Sequence, residues 1–297
     1  MSSVLYDAQG PKAKRRNVVI SVVFVAVLAA VLWWMYDMLD EKGQLEWVLW
    51  KPFFHAEAWS TYLWPGLLNT LKAAALSMII ALPLGAFLGI ARLSDHAWVR
   101  VPAGVVVEFF RAIPVLVLMI FGLALFSEYT NVSTDDRPLY AVVTGLVLYN
   151  ASVLAEIVRA GILSLPRGQA EAASAIGLRK NQVMRFILLP QAVTAMLPAI
   201  VSQLVVIVKD TALGGAVLTF PDLMASVSPM SSYYGANTIA SFTVVALIYI
   251  ALNFSLTTFA SWLERRLRQA KKSTGAVVGA DTVEELSTPG EHVEGQK

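Results

Sequence analysis

Six apolar runs separated by polar connections decide what this chain can fold into. They cover Val18 to Tyr36, Gly66 to Ala91, Val105 to Phe126, Leu139 to Ala160, Ala192 to Val208 and Thr238 to Leu263. Most approach the roughly 20 residues that a helix needs to cross the hydrocarbon core of a bilayer. Composition agrees. Of 297 residues, 57% are hydrophobic and 15% are charged, against roughly 25% charged in soluble domains, and mean hydropathy is +0.62. The expected fold class is therefore all-α integral membrane, with six transmembrane helices.

The first run follows a basic segment carrying Lys12, Lys14, Arg15 and Arg16. That pattern also describes a signal peptide. The run is long, ends in Trp33, Trp34 and Tyr36, and has no small-residue cleavage site behind it, so an uncleaved span is the preferred reading. Residues 37–65 are expected to connect the first two spans on the far side of the membrane. They are rich in tryptophan (Trp47, Trp50, Trp59, Trp64), which favours the headgroup level. In the second span, Gly85 and Gly89 have the spacing that allows close helix approach, and packing is the plain reading. Residues 212–237, rich in Gly, Pro and Ser, are read as an irregular re-entrant or surface segment.

Basic residues are distributed unevenly. Six spans from an inside N-terminus put Arg92, Arg100, Arg111, Arg159, Arg167, Arg179, Lys180, Arg185 and the Arg265–Lys272 cluster on the cytoplasmic side, while Lys42, Lys51 and Arg137 fall opposite. The positive-inside bias favours that orientation, with both termini cytoplasmic. The reading divides the chain into a cytoplasmic N-terminal segment (1–17), a first transmembrane helix (18–36), an extracytoplasmic connection (37–65), a five-helix core (66–266) with a cytoplasmic loop (162–191), and a disordered cytoplasmic tail (267–297).

Several chemistries have no sequence basis. There is no cysteine, and His55, His96 and His292 form no ligand-spaced pair. No phosphate-binding Gly-x-x-x-x-Gly-Lys-Ser/Thr loop, nucleophile elbow or HExxH pattern is present. No cofactor or metal site is expected on this chain, and no nucleic acid as partner.

One polar stretch, Gly168 to Pro190, stands out between apolar runs. Gln169 to Ile176 are mostly helix formers, with Glu171 expected in the first turn, where it complements the helix dipole. Gly177 is placed to end that helix in the left-handed conformation. Val183, Met184 and Ile187 give a second short helix an apolar face, and Pro190 is expected to end or kink it. These residues describe either a small rigid docking knob or an ordinary solvated loop.

The order of Glu171, Ala172, Ala173, Gly177, Ile187, Leu189 and Pro190 resembles the EAA motif of ABC-importer permeases. Further runs resemble the polar amino acid branch of that family: Gly66-Leu67-Leu68-Asn69-Thr70-Leu71, Phe110-Arg111-Ala112-Ile113-Pro114-Val115-Leu116 (with Ala112 for the usual glycine), Glu156 to Ile162, and Lys209-Asp210-Thr211-Ala212-Leu213 (with Ala212 for the usual serine). The resemblance covers roughly Gly66 to Arg266 and is strongest to glutamate-uptake permeases. It implies a type I ABC importer membrane domain, with five core helices and one added at the front. It also implies two copies of an ATPase subunit that carry ATP-Mg, a second permease subunit, homologous or identical, an extracytoplasmic substrate-binding protein and an amino-acid substrate. The prokaryotic cell membrane is the implied location.

Within that frame, Glu171, Ala172, Ala173, Gly177 and Leu178 are the candidate ATPase-coupling residues. Arg111, Asn150, Lys209, Asp210 and Thr211 are the candidates for the translocation pathway, because charges near membrane depth are costly to keep. Each has a plainer role open to it. Arg111 can snorkel or pack at a gate, and Lys209 with Asp210 can be a neutralised pair at a helix end. Two alternatives stand beside the main reading: a secondary transporter driven by an ion gradient, and an ABC permease for another polar amino acid.

Overall fold

The computed structural model describes residues 10–272, without the side chains of some residues after Trp262. The tail expectation for 267–297 and the first residues of the N-terminal segment fall largely outside the described residues. The helices are α1 Pro11–Glu41, α2 Trp47–Trp50, α3 Ala56–Ala58, α4 Trp64–Ala91, α5 Ala97–Ala112, α6 Val115–Tyr129, α7 Arg137–Leu163, α8 Arg167–Ala175, α9 Lys180–Gln182, α10 Leu189–Val217, α11 Val227–Tyr233 and α12 Thr238–Lys272. Among the described residues, five helical segments are long and apolar enough to cross a membrane, or six when α5 and α6 count as one broken span. The all-α multi-spanning fold expected from the apolar runs is what the structure shows.

Two structural units are distinguishable. The first combines residues 10–65 with 226–246. Here α1 buries none of its residues. The connection expected over 37–65 is mostly helical. After a turn at Gly43 (φ +63°) it forms α2, a 3₁₀ turn over Lys51–Phe54 and α3. Asn237 donates to the Leu49 carbonyl at 3.0 Å, and Ser226 donates to that of Tyr62 at 3.1 Å. The rings of Tyr62, Tyr233 and Tyr234 gather beside them.

The second unit spans 66–225 and 247–272 and is built around α7, which packs against α5, α6 and α10. Ala141, Val142, Leu146, Ala151, Leu154 and Ala155 of α7 are buried at 0–1% exposure. Small residues let the other helices come close. A Cβ at Gly85 would lie 2.6 Å from that of Leu154, and one at Gly89 would lie 2.6 Å from the Ala155 carbonyl oxygen. The Gly85–Gly89 pair is thus the α4–α7 contact, as close helix approach requires.

Prolines account for the main departures from the expected boundaries. Residues 105–126 are not one straight span: α5 and α6 meet at a 99° bend. Pro114 disfavours the helical region for Ile113, which sits extended at φ −92°, ψ 130°. Pro65 and Pro190, by contrast, do not stop their helices. Each follows a π-helical turn by two residues, Trp59–Leu63 and Val183–Leu188. The widened turn accommodates a proline that lacks an N–H and crowds the carbonyl four residues back. The second span therefore runs over Ala56–Ala91 and the fifth over Lys180–Val217. The fifth also runs past Val208, through Gly214 and Gly215, because both glycines are needed for close packing: a Cβ on Gly214 would meet Val142 at 2.3 Å.

Candidate functional site

The knob expected after the fourth span is present, with corrected edges. Pro166 starts α8 at Arg167, so Glu171 stands one turn inside the helix rather than in its first turn. The helix closes as the glycine position requires. Gly177 takes φ +88°, its N–H bonds the Ser174 carbonyl at 3.0 Å, and the Leu178 N–H bonds that of Ala173 at 3.2 Å. This double bond with a left-handed residue after the helix is a Schellman closure. A Cβ at Gly177 would touch nothing within 4 Å, so backbone conformation alone restricts the position.

The closure leaves an unusual surface. Ala173 is buried and Leu178 half-buried, while Glu171 and Ala172 are exposed and Ile176 is 80% exposed. Ile176 was not singled out in the sequence reading. Its signal was available, since an apolar residue just before a helix-closing glycine is carried to the tip. Beyond the turn, the Gln182 side chain accepts the Arg179 N–H at 2.8 Å. Lys180 pairs with Asp95 and reaches the Leu93 carbonyl at 3.4 Å. The Lys180 hydrogen bond, with its charge, holds the Asp95 carboxyl below the usual carboxylate range. This pair brings the α4–α5 loop and the knob to one end of the second unit. The expected second short helix is not separate: α9 continues through the π turn into α10, with Val183 buried and Phe186 exposed.

Behind the knob lies an ion cluster that the sequence reading did not assemble. Arg92, whose side chain is 14% exposed, bonds Glu156 at 2.7 Å and Glu108 at 2.9 Å. Arg111 lies 3.5 Å from Glu108 and 3.9 Å from Glu156, and Arg159 bonds Glu156 at 3.1 Å. The residue just past α4 and the helices α5 and α7 thus meet through five charged side chains. Glu108–Arg111 and Glu156–Arg159 share an i,i+3 spacing that the sequence displays. That the two pairs share Arg92 depends on the fold. A cavity of about 580 Å³ borders the cluster, lined by Arg111, Tyr149, Glu156 and their neighbours.

The other pathway candidates lie elsewhere. Asn150 is fully buried, donating to the Leu146 carbonyl at 2.7 Å and accepting from Gln203, so it fastens α7 to α10. Lys209 is exposed and Asp210 half-buried on α10, while Thr211 is buried and donates to the Val208 carbonyl. Of the irregular re-entrant or surface segment expected over 212–237, residues 212–217 continue α10 and 227–233 form α11, and the stretch between them is a closed, largely buried loop. Asp222, with no exposed surface, accepts the Ala225 N–H at 2.9 Å and the Tyr249 hydroxyl at 3.2 Å. Thr70 accepts the Leu223 N–H, and Asn69 donates to the Pro221 carbonyl. Burial pushes the Asp222 carboxyl up to about 6. Among the described residues, no group of three or more His, Asp or Glu is arranged to hold a metal.

Comparison with known proteins places this arrangement. Residues 81–269 match the family described as binding-protein-dependent transport system inner membrane component. The glutamate transport system permease protein GluD of Corynebacterium glutamicum is 46% identical over 84% of this chain and 92% of its own length. The glutamate/glutamine/aspartate/asparagine transport system permease protein BztC of Rhodobacter capsulatus is 31% identical over 82% of this chain, which spans 56% of that protein. Among solved structures, an amino acid ABC transporter crystallised with histidines superposes with a TM-score of 0.61 at 28% identity, over 69% of this chain and 93% of that one. The chain is a multi-pass, non-catalytic permease subunit of the ABC-importer class, and it belongs to the family of binding-protein-dependent transport system inner membrane components.

Proposed function

We propose that this chain forms one half of the translocation pathway of an ATP-driven importer for polar amino acids, with glutamate as its substrate. The observation that carries the reading is the exposed, rigidly closed knob of Glu171, Ala172, Ile176 and Gly177, continuous with the helix that bears Lys209 and Asp210. Small alanines beside an exposed isoleucine suit insertion into a groove of a separate ATPase subunit. Binding of ATP-Mg would close two ATPase subunits and draw two such knobs together, one from this chain and one from a second permease subunit. The core helices would then open toward an extracytoplasmic binding protein. Coupling of this kind requires two global states that both sites bias. The loop 164–182 and both termini face the cytoplasm in this reading. The prokaryotic plasma membrane is the location that fits these partners.

Glutamate as substrate is supported by the relative of 46% identity that bears its name. Arg111, at the 580 Å³ cavity, and Lys209 are proposed to supply the counter-charge to an acidic substrate, with Asn150, Asp210 and Thr211 on the same pathway. The experiment is purification of the complex in mild detergent from cells carrying wild-type chain or Glu171→Lys. The wild type is expected to bring down an ATPase, a permease and a binding protein that takes glutamate, and the variant to lose the ATPase. A wild-type chain that purifies alone and transports in liposomes without ATP would overturn the proposal in favour of a gradient-driven transporter. A binding protein selective for a different amino acid would overturn only the substrate.

A further inference from the structure

A second cavity, of about 670 Å³, opens nearer the start of α5, shares Glu108 with the first and is not used by the pathway reading. Arg92, Arg100, Arg159 and Glu108 line it together with Val101, Val105 and Phe109. The apolar members belong to a stripe at helical spacing: Trp98, Val101, Val105 and Phe109 are 77%, 57%, 64% and 58% exposed. Arg100 and Glu108 stand beside the stripe, so α5 presents a charged edge and an apolar edge together. A helix with that division lies at a membrane interface, its apolar side toward acyl chains.

Charge at this end of the unit does not balance. Among the described residues that line this cavity or pair with its lining, Arg92, Arg100, Arg111, Arg159 and Lys180 are set against Asp95, Glu108 and Glu156. Two positive charges are left over, and Arg100, whose guanidinium donates to the Ser94 carbonyl at 3.2 Å with Asp95 nearby, stands at the cavity. We propose that this cavity is a binding site for the headgroup of an anionic phospholipid, its phosphate held by Arg100 and Arg159 and its acyl chains laid along Trp98, Val101, Val105 and Phe109. A basic pocket between membrane helices is the chemistry that selects such headgroups. An apolar stripe running directly from the arginines favours a lipid over a free anion, which would need the arginines alone.

The test uses the full chain in its assembled complex, reconstituted into nanodiscs of phosphatidylcholine with and without phosphatidylglycerol. Retained lipid is then counted by native mass spectrometry after release into detergent. Wild type is expected to retain phosphatidylglycerol in preference to phosphatidylcholine. Arg100→Gln is expected to lower that preference by about fivefold, the worth of one basic residue near an anionic surface. Val105→Asp, which spoils the stripe and spares the arginines, is expected to lower it as well. A variant with Lys12 and Lys14 changed to Gln, distant in sequence from the cavity, is expected to keep it. An equal loss in that control means diffuse attraction and overturns the site. Competition by inorganic phosphate, with Val105→Asp unchanged, overturns the lipid assignment in favour of a small anion. A preference present in the isolated chain and absent from the complex shows the face covered by another subunit, and also overturns it.

Discussion

The loops at the two ends of α10 are built to opposite specifications. The loop before it, 164–182, satisfies its backbone through a helix closure and leaves its distinctive side chains outside: Glu171, Ala172 and Ile176 are all exposed. The loop after it, 218–226, turns its polar groups inward. Asp222 is buried against the Ala225 N–H, the Tyr249 hydroxyl and the Gly215 backbone, and Thr70 and Asn69 clamp the neighbouring residues. One loop leaves its distinctive side chains open to solvent, while the other satisfies its polar groups within the chain. The proposed mechanism would use both, a free end that receives force and an anchored end against which the helix acts.

The contrast predicts that equivalent substitutions fail differently at the two ends. Gly215→Val should have the largest effect. Its Cβ would lie 1.7 Å from the Asp222 carboxylate oxygen and 3.0 Å from the Ala225 N atom, so the loop must leave its place. Little folded chain should reach the membrane, as membrane yield and gel filtration would show. Near-normal yield would mean that the anchored loop is softer than its packing implies.

Gly177→Val should leave yield largely intact. The left-handed backbone costs a non-glycine residue about 1–2 kcal/mol, and there is open space for the side chain. The change should appear instead as a loss of substrate-stimulated ATPase activity of roughly tenfold or more, about the same 1.4 kcal/mol expressed as a rate. Wild-type stimulation in the assembled complex would remove the closure from the coupling mechanism.

Protonation separates the loops further. Because burial raises the Asp222 carboxyl to about 6, the closed loop binds its proton more tightly than an opened loop would. Its stability is greatest below the ordinary carboxylate range of about 4 and is lost as pH rises from there through 6. Hydrogen exchange across 220–226 should therefore quicken between about pH 4 and pH 6 beyond its intrinsic base-catalysed rise, and Asp222→Asn should flatten that excess. The knob's own amides should show no such excess. A wild-type excess unchanged by Asp222→Asn would assign it to another group.

The smallest effect belongs to the Lys180–Asp95 pair, which joins exposed side chains. Surface pairs of this kind contribute little to stability. Lys180→Glu should barely move the melting temperature and should slow coupled transport less than Gly177→Val does. The double exchange with Asp95→Lys should restore it. A failure of the exchange to rescue would show that the pair positions nothing.

These differences also explain what could be read from the residues in advance. The exposed loop was legible because its logic is local: alanines, a glycine at the right offset and a helix that must end. Apolar runs placed the long helices for the same reason. The anchored loop was not legible, since Gly214 and Gly215 read as breakers until Val142 and Asp222 are seen pressed against them. The ion cluster failed similarly. Its two i,i+3 pairs are written in the sequence, but Arg92 joins them only after α4, α5 and α7 have packed. Pro114 did mark a break, and the size of the bend, 99°, was not in the residues around it. The π turns before Pro65 and Pro190 hid two continuations by making prolines harmless inside helices.

The second of those turns has a mechanical consequence. Because α9, the π turn and α10 run without interruption from Lys180 to Val217, they form one continuous lever, held at its far end by the packing of Gly214 and Gly215. From Leu188 to Thr211 the helix measures about 35 Å, so a tilt of about 5° about the anchored Thr211 end would carry the Leu188 end, next to the knob, through about 3 Å. That displacement is comparable to the radius of a small carboxylate. In the proposed mechanism, an ATPase stroke of small angle at the Lys180 end would thus bear on the anchored end through one continuous helix.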